Sequence, residues 1–245
     1  MHKVITFLFR LATITAHNPR DLRHIFGVAN SVAQEIADPK SDVRSIRSVD
    51  FSNITGSAGR FLFQAFPGVG ASITLYEAAA LAALCRSVNA KRIFEFGTYK
   101  GVSTTQFALN LPADGMIYTL DLPEDHPAYS FSITKEEERI IAAEGGKGVL
   151  VPADCHRKVA FLKCDSAEFD TTPYLNSMDL VFVDGAHSYE YVKNDTIKGL
   201  EMLRSGGVIT WHDCSPSHPN VVALVKESRL QVNRVSGTAL AFAFK

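Results

Sequence analysis

A doubly wound α/β domain, its sheet mostly parallel with an antiparallel finish, is expected from three observations. Short apolar runs alternate with helical stretches from residue 92 onward, which is the pattern of parallel strands joined by crossover helices. The chain closes on two apolar runs, Leu230 to Val235 and Thr238 to Phe244, separated by Ser236 and Gly237, which reads as a hairpin. Over 245 residues, 46% hydrophobic and 21% charged side chains supply a core for one large domain or one domain with an appendage.

The elements follow in order. Lys3 and the apolar stretch Val4 to Ala16 faintly resemble a signal peptide, but Arg10 interrupts it, and Val4, Phe7, Leu8 and Leu11 fit one face of a helix. Such a helix packs on the body or touches a membrane surface. Asn18 as cap, Pro19 at the first helical position and Asp21 near the positive dipole end start a second helix. Its apolar face, Leu22, Ile25, Phe26, Ala29, Ala33 and Ile36, runs until Asp38 and Pro39. Residues 40–72 are rich in Ser, Gly and Asn with scattered Phe and read as a connector whose aromatics fold back onto the core. Thr74 and Glu77 make a T-x-x-E capping box before an Ala- and Leu-rich helix ending near Val88. Strands are expected at Arg92 to Phe96, Met116 to Asp121, Val159 to Lys163, Asp179 to Val183 and Val208 to Trp211. Helices are expected to begin near Val102, Thr134, Ser188 and Asn220. With the terminal hairpin this makes seven strands, and it divides the chain into an N-terminal helical extension and connector, 1–73, and a main domain, 74–245.

Twenty-five Lys and Arg against 26 Asp and Glu leave a net charge of −1, so there is no bulk positive field to gather nucleic-acid phosphates. Cys85, Cys155, Cys164 and Cys214 form no CxxC pair and no secreted-type framework, which favours reduced thiols in the cytoplasm. No apolar run reaches the roughly 20 residues of a membrane span. Oligomeric state is not legible, and a homodimer is compatible with the sequence.

The first expected strand runs into Gly97, Thr98, Tyr99, Lys100 and Gly101 before the helix at Val102. A strand, a glycine-bracketed turn and a helix start offer backbone N–H groups and a dipole to an anionic group. The turn lacks the GxGxxG of the dinucleotide fingerprint and the Gly-Lys-Ser/Thr of a P-loop, so tight helix–strand packing without a ligand is the bland alternative. Asp121 ends the next strand 24 positions after Gly97, near the roughly 20-residue offset of an acid that accepts ribose hydroxyls. A solvated strand-end Asp is its alternative.

Four stretches are informative together: Glu95 to Gly101 (EFGTYKG), Tyr118 to Leu122 (YTLDL), Leu180 to Asp195 (LVFVDGAHSYEYVKND) and Gly206 to Asp213 (GGVITWHD). They resemble the class I S-adenosylmethionine-dependent methyltransferases, closest to the small-molecule, catechol-O-methyltransferase-like branch, over roughly Thr74 to Lys245. The resemblance implies a Rossmann-like sheet whose last strand inserts antiparallel. It implies that Gly97, Thr98, Gly101 and Ser103 hold the methionine part of the cofactor, with Glu95 orienting the turn from beneath. Asp121 would bind the ribose, Leu122 would pack near the adenine, Asp165 and Ser166 would reach the adenine edge, and Asp184 would border the cofactor.

Methyl transfer to oxygen needs alignment and an electron-rich acceptor, supplied either by a general base or by a divalent cation that lowers the hydroxyl pKa. Asp184, His212 and Asp213 should emerge at the carboxyl edge of the sheet. Catechol-type enzymes carry a carboxylate and an Asp-Asn pair at the matching positions. The His-Asp pair here departs from that, and leaves open whether magnesium, a transition ion or no metal is used. His187 stands where that branch places a lysine base, and an imidazole with an ordinary pKa of roughly 6.5 is a competent base, with Asp184 beside it as the second catalytic candidate. Asp154, Cys155 and His156 read as a surface loop. Lys135 to Arg139 (KEEER) reads as a solvated helix face. Tyr189 and Tyr191 either line a pocket or pack the helix, and Tyr129 and Phe131 are lid candidates.

The expected function is therefore S-adenosylmethionine-dependent O-methylation of a small-molecule hydroxyl. Two rivals remain at this point: a nicotinamide-dependent NAD(P) oxidoreductase on a similar sheet, and an adenosyl-cofactor-binding protein without turnover.

Overall fold

The computed structural model describes residues 45–50, 53–54, 60–66, 69–123, 128–141 and 146–245. The helices expected over Val4–Ala16 and Asn18–Ile36 lie outside the described residues. Eight strands form one sheet: β1 (Arg47–Val49), β2 (Arg92–Phe96), β3 (Met116–Asp121), β4 (Val159–Lys163), β5 (Met178–Val183), β6 (Leu203–Trp211), β7 (Asn233–Val235) and β8 (Ala241–Phe244). Their order is β1-β7-β8-β6-β5-β2-β3-β4. Only β8 runs antiparallel, to both β6 and β7. Among the described residues five helices surround the sheet: α1 (Leu75–Ser87), α2 (Val102–Asn110), α3 (Lys135–Ile141), α4 (Tyr189–Met202) and α5 (Pro219–Glu227).

The doubly wound class with an antiparallel finish is as expected, but the count of seven strands is one short. The extra strand, β1, comes from the connector and pairs in parallel with β7. Three residues are too few to show period-2 alternation, and Arg47 and Ser48 are exposed. β6 also starts at Leu203 rather than Val208. Its first half contains Gly206 and Gly207, poor strand formers, and its pairing with β5 shifts register between Met178 and Leu180.

Alternation along the central strands divides the core. Ile93, Leu180, Phe182 and Val208 point toward α1 and α2, while Phe94, Val181, Ile209 and Trp211 point toward α4 and α5. Central strands buried on both faces therefore read as continuous apolar runs. Trp211 is fully buried, and its indole N–H donates to Thr196 Oγ1 at 2.8 Å, so no polar atom is stranded there. The expected capping box starts α1, with Thr74 Oγ1 accepting from Glu77 N and Glu77 accepting from Thr74 N. Connector aromatics do fold back: Phe66 packs on the core, and the Phe61 ring lies under the Arg86 guanidinium.

Register positions the site. Phe96 pairs with Leu120 of β3 and with Val183 of β5, and Val183 pairs with Trp211 of β6. The next residue on each strand, namely Asp121, Gly97, Asp184 and His212, therefore lies in one row along the carboxyl edge. The chain winds outward in both directions from β2 and β5, so this row sits at the switch point where open sheets leave a crevice.

Candidate active site

A cavity of ≈ 550 Å³ opens above that row. Its size is within the range of small-molecule sites. Among the described residues with positive φ other than glycine, two are Asn89 and Asn176, a type that takes this conformation cheaply. The other three, Ala71, Tyr99 and Asp213, all border the cavity. Backbone strain of this kind collects where a wall must be held in one shape.

At one end stands the glycine turn. Gly97 has φ +92°, and a Cβ there would collide with the Asp184 carbonyl, so this glycine lets the ends of β2 and β5 pack together. Gly101 has φ +86°, and a Cβ would strike the Val151 side chain. Both glycines thus answer to protein packing as well as to a ligand's approach. α2 begins at Gly101 with no side-chain cap, and Val102 and Ser103 of its first turn line the cavity. Glu95 is fully buried beneath, taking the Ser103, Thr104 and Thr119 hydroxyls as donors. Thr119 Oγ1 lies 2.7 Å from Thr98 Oγ1, so Glu95 reaches the turn through Thr119. Burial raises the Glu95 carboxyl to about 7 although three hydroxyl donors oppose it.

Asp121 faces the cavity and holds the turn from the other side. Its Oδ2 accepts from Thr98 N at 3.0 Å and from Tyr99 N at 2.7 Å, and its Oδ1 lies 3.1 Å from Lys147 Nζ. Lys147 also lines the cavity and was not found from the sequence. Leu122, Asp165 and Ser166 line the same end. The Asp165 carboxylate is already engaged, by Tyr191 Oη at 2.8 Å, Ser130 N at 3.0 Å and Ala167 N at 2.9 Å. Tyr191 is thus a wall residue, whereas Tyr189 bonds to Glu227 on the exposed side. Phe131 stacks edge-on against Tyr191 with ring centroids 5.1 Å apart.

At the other end Asp184, His187, His212 and Asp213 converge as expected. His212 Nδ1 lies 3.0 Å from Asp184 Oδ1 and 3.1 Å from Asp213 Oδ2, and His187 Nε2 lies 2.8 Å from Asp213 Oδ2. His218, the residue before α5, brings Nδ1 to 3.4 Å from Asp213 Oδ1. The expectation of a solvated KEEER face is corrected at Glu137. This residue is 6% exposed, accepts from His187 N, and places Oε1 3.1 Å from His187 Nδ1. Glu77 Oε2 stands 3.4 Å from His212 Nε2. The Asp154–His156 run joins no metal-binding cluster among the described residues.

The electrostatics correct the ordinary pKa expected of His187. Burial opposes its charge, but Asp213 and Glu137 outweigh burial and raise it to about 10. His212 is likewise raised well above its usual range, with Asp213, Asp184 and Glu77 overcoming burial. Burial also opposes charge on the acids. His187 and Thr134 overcome it at Glu137, which falls to about 2, and the two imidazoles overcome it at Asp213. Asp184 is the exception: burial and the Asp213 charge push its carboxyl up.

These donors suit a divalent ion. Four carboxyl groups, Glu77, Glu137, Asp184 and Asp213, face two imidazoles, and an ion bound there would displace the His212 proton. Asp184, His212 and Asp213 form one group able to hold an ion.

The likeness to class I methyltransferases read from the sequence is borne out by the comparisons with known proteins. Residues 94–214 match the family model described as a methyltransferase domain. The chain is 28% identical over 152 residues to caffeoyl-CoA O-methyltransferase of Populus kitakamiensis, a match covering 58% of this chain and 54% of that one. It spans little more than half the length of the curated relatives it matches. Its fold resembles an O-methyltransferase from Bacillus cereus in complex with SAH, with TM-score 0.50 at 17% identity over 72% of this chain and 84% of that one. It also resembles a SAH-bound methyltransferase of Podospora anserina, with TM-score 0.50 at 16% identity over 74% and 82%.

Proposed function

We propose that this protein transfers a methyl group from S-adenosylmethionine to a hydroxyl of a small molecule. The observation that carries the reading is the row Asp121, Gly97, Asp184 and His212, held in register and opening on one cavity. The name of the Populus relative supports oxygen as the acceptor. The fit to the cofactor rests on this chain's own residues. The turn Gly97–Gly101 and the uncapped start of α2 suit a carboxylate. Asp121 suits ribose hydroxyls, Leu122 the adenine face and Ser166 its edge. When bound, S-adenosylmethionine supplies a methyl group on a positively charged sulfur.

At the acceptor end His187 and Asp184 are the proton-handling groups. Asp184 is the acid whose environment favours taking up a proton, and it faces the cavity. His187 donates to Asp213 and Glu137 and holds its proton through the neutral range. A divalent cation on Asp184, His212 and Asp213 would offset the carboxylates that hold the His187 proton and would lower the pKa of a coordinated hydroxyl. Four free cysteines support a reducing cytoplasm as the setting.

The test is a methyl-donor assay against a metabolite extract with isotope-labelled S-adenosylmethionine, read by mass spectrometry. Labelled products heavier by one CH₂ are expected, and their yield should fall on chelation. Binding of NAD with no binding of adenosyl ligands would abandon the reading.

A further inference from the structure

We propose that the two capping-box glutamates, Glu77 and Glu137, are positioning residues. Each starts its own helix and, with the same carboxylate, fixes the orientation of one site histidine. The inference deepens the proposed function and rests on it for its kinetic readout.

The two boxes are built alike although they lie 60 residues apart. At α1, Thr74 Oγ1 accepts from Glu77 N at 3.2 Å and Glu77 Oε2 accepts from Thr74 N at 2.8 Å. At α3, Thr134 Oγ1 accepts from Glu137 N at 3.2 Å, and Glu137 Oε2 accepts from Thr134 N. A capping box needs one carboxylate oxygen for the cap N–H, and such residues usually stand in water. Here both glutamates are buried, at 5% and 6% exposure, and both carry further partners inside the site. Glu137 Oε1 takes the backbone N–H of His187 and lies 3.1 Å from its Nδ1. Glu77 takes Ala239 N at 2.9 Å and lies 3.4 Å from His212 Nε2.

The contacts are complementary. Glu137 holds Nδ1 of His187, which leaves Nε2 to Asp213 at 2.8 Å. Glu77 holds Nε2 of His212, which leaves Nδ1 to Asp184 at 3.0 Å and Asp213 at 3.1 Å. Flipping either ring would set carbon against a carboxylate. A histidine whose far nitrogen is held by a carboxylate keeps one orientation, the device that outer-shell acids use on metal-bound and catalytic imidazoles. Because α3 also lines the cavity with Ile140 and Ile141, Glu137 ties that wall to the acid–imidazole cluster.

The test separates capping from positioning, because each box can be broken from either side. Thr134→Ala and Glu137→Ala should both lower the melting temperature of the full chain, Glu137→Ala by more because it also releases His187. In methyl transfer to the metabolite extract, Glu137→Ala should lower kcat about 10–100-fold with KM for S-adenosylmethionine within about threefold. Thr134→Ala should keep kcat within about threefold, and Glu137→Gln, which retains an acceptor oxygen, should recover most of the loss. Without any substrate, the Nδ1–H resonance of His187 should vanish in Glu137→Ala and persist in Thr134→Ala, while the Nε2–H held by Asp213 persists in both. Thr74→Ala and Glu77→Ala should behave in the same way for His212. Equal loss of kcat in the two members of a pair, or persistence of the ring N–H that faces the glutamate (Nδ1 of His187, Nε2 of His212) after its removal, would overturn the proposal. Failure of the parent to bind adenosylhomocysteine would instead defeat the methyltransferase reading and leave the resonance test standing.

Discussion

Strand β5 carries an aspartate toward each end, and the two live in opposite electrostatic worlds. Asp179, at the amino edge, accepts from Lys91 N and Arg92 N at 2.8 Å each and from Arg204 Nε at 2.6 Å. Burial disfavours its charge, but Arg204 and the two amides win, and its pKa falls. Asp184, at the carboxyl edge, has titratable neighbours, His212 and Asp213, and its pKa rises. The same residue type is held by fixed donors at one end of the strand and, just past the other end, faces titratable partners beside the cavity. Fixed donors hold an acid in its charged form, whereas burial beside another acid at a cavity favours its uptake of a proton.

Substitutions at the two ends should separate cleanly. Asp184→Asn should lower kcat about 10²–10⁴-fold in the methyl-transfer assay while the melting temperature holds or rises, since it removes a disfavoured buried charge. A fall in stability with little loss of kcat would erase the contrast. Glu95 sharpens it through pH. Its folded pKa of about 7 exceeds the ordinary 4.5, so the folded chain keeps a proton that the unfolded chain releases. Its contribution to stability therefore falls as pH rises from 4.5 to 7 and then levels off. Urea unfolding should lose about 3 kcal/mol across that window from Glu95, and Glu95→Gln should flatten the slope. Asp179→Asn should cost about 2 kcal/mol in urea unfolding, from weakened bonds to Arg204 and two strand amides, with kcat unchanged. The smallest effect is expected at Lys147, which occupies an oxygen of Asp121. Lys147→Met should tighten adenosylhomocysteine binding by about threefold, under 1 kcal/mol, measured by calorimetry.

The ends of β5 also show what a sequence displays and what it hides. The runs Arg92–Phe96, Met116–Asp121 and Val159–Lys163 are strands with the boundaries expected, because each is a short apolar-rich run between breakers. Asp184, His212 and Asp213 were legible as strand-tip residues because parallel register brings successive tips into one row. β1 was hidden by its brevity, and the first half of β6 by its glycines. Glu137 was hidden among like-charged neighbours, since one short helix after an insertion does not declare its buried face. The signal that could have found it was the T-x-x-E of Thr134 to Glu137, the same pattern that was recognised at Thr74 to Glu77. Lys147 had no such signal, because its pairing with Asp121 spans an intervening segment without periodicity. The raised pKa of His187 depended on two acids, Glu137 and Asp213, that only the fold brings to its ring.

The central claim is that the switch-point cavity receives an adenosyl ligand against Asp121 and the glycine turn. Calorimetric titration of the full chain with adenosylhomocysteine, beside NAD as comparison, tests it directly. The account predicts one-to-one binding of adenosylhomocysteine that is weakened at least tenfold in Asp121→Ala, with no heat from NAD. Binding of NAD alone, or adenosylhomocysteine affinity indifferent to Asp121, would contradict it.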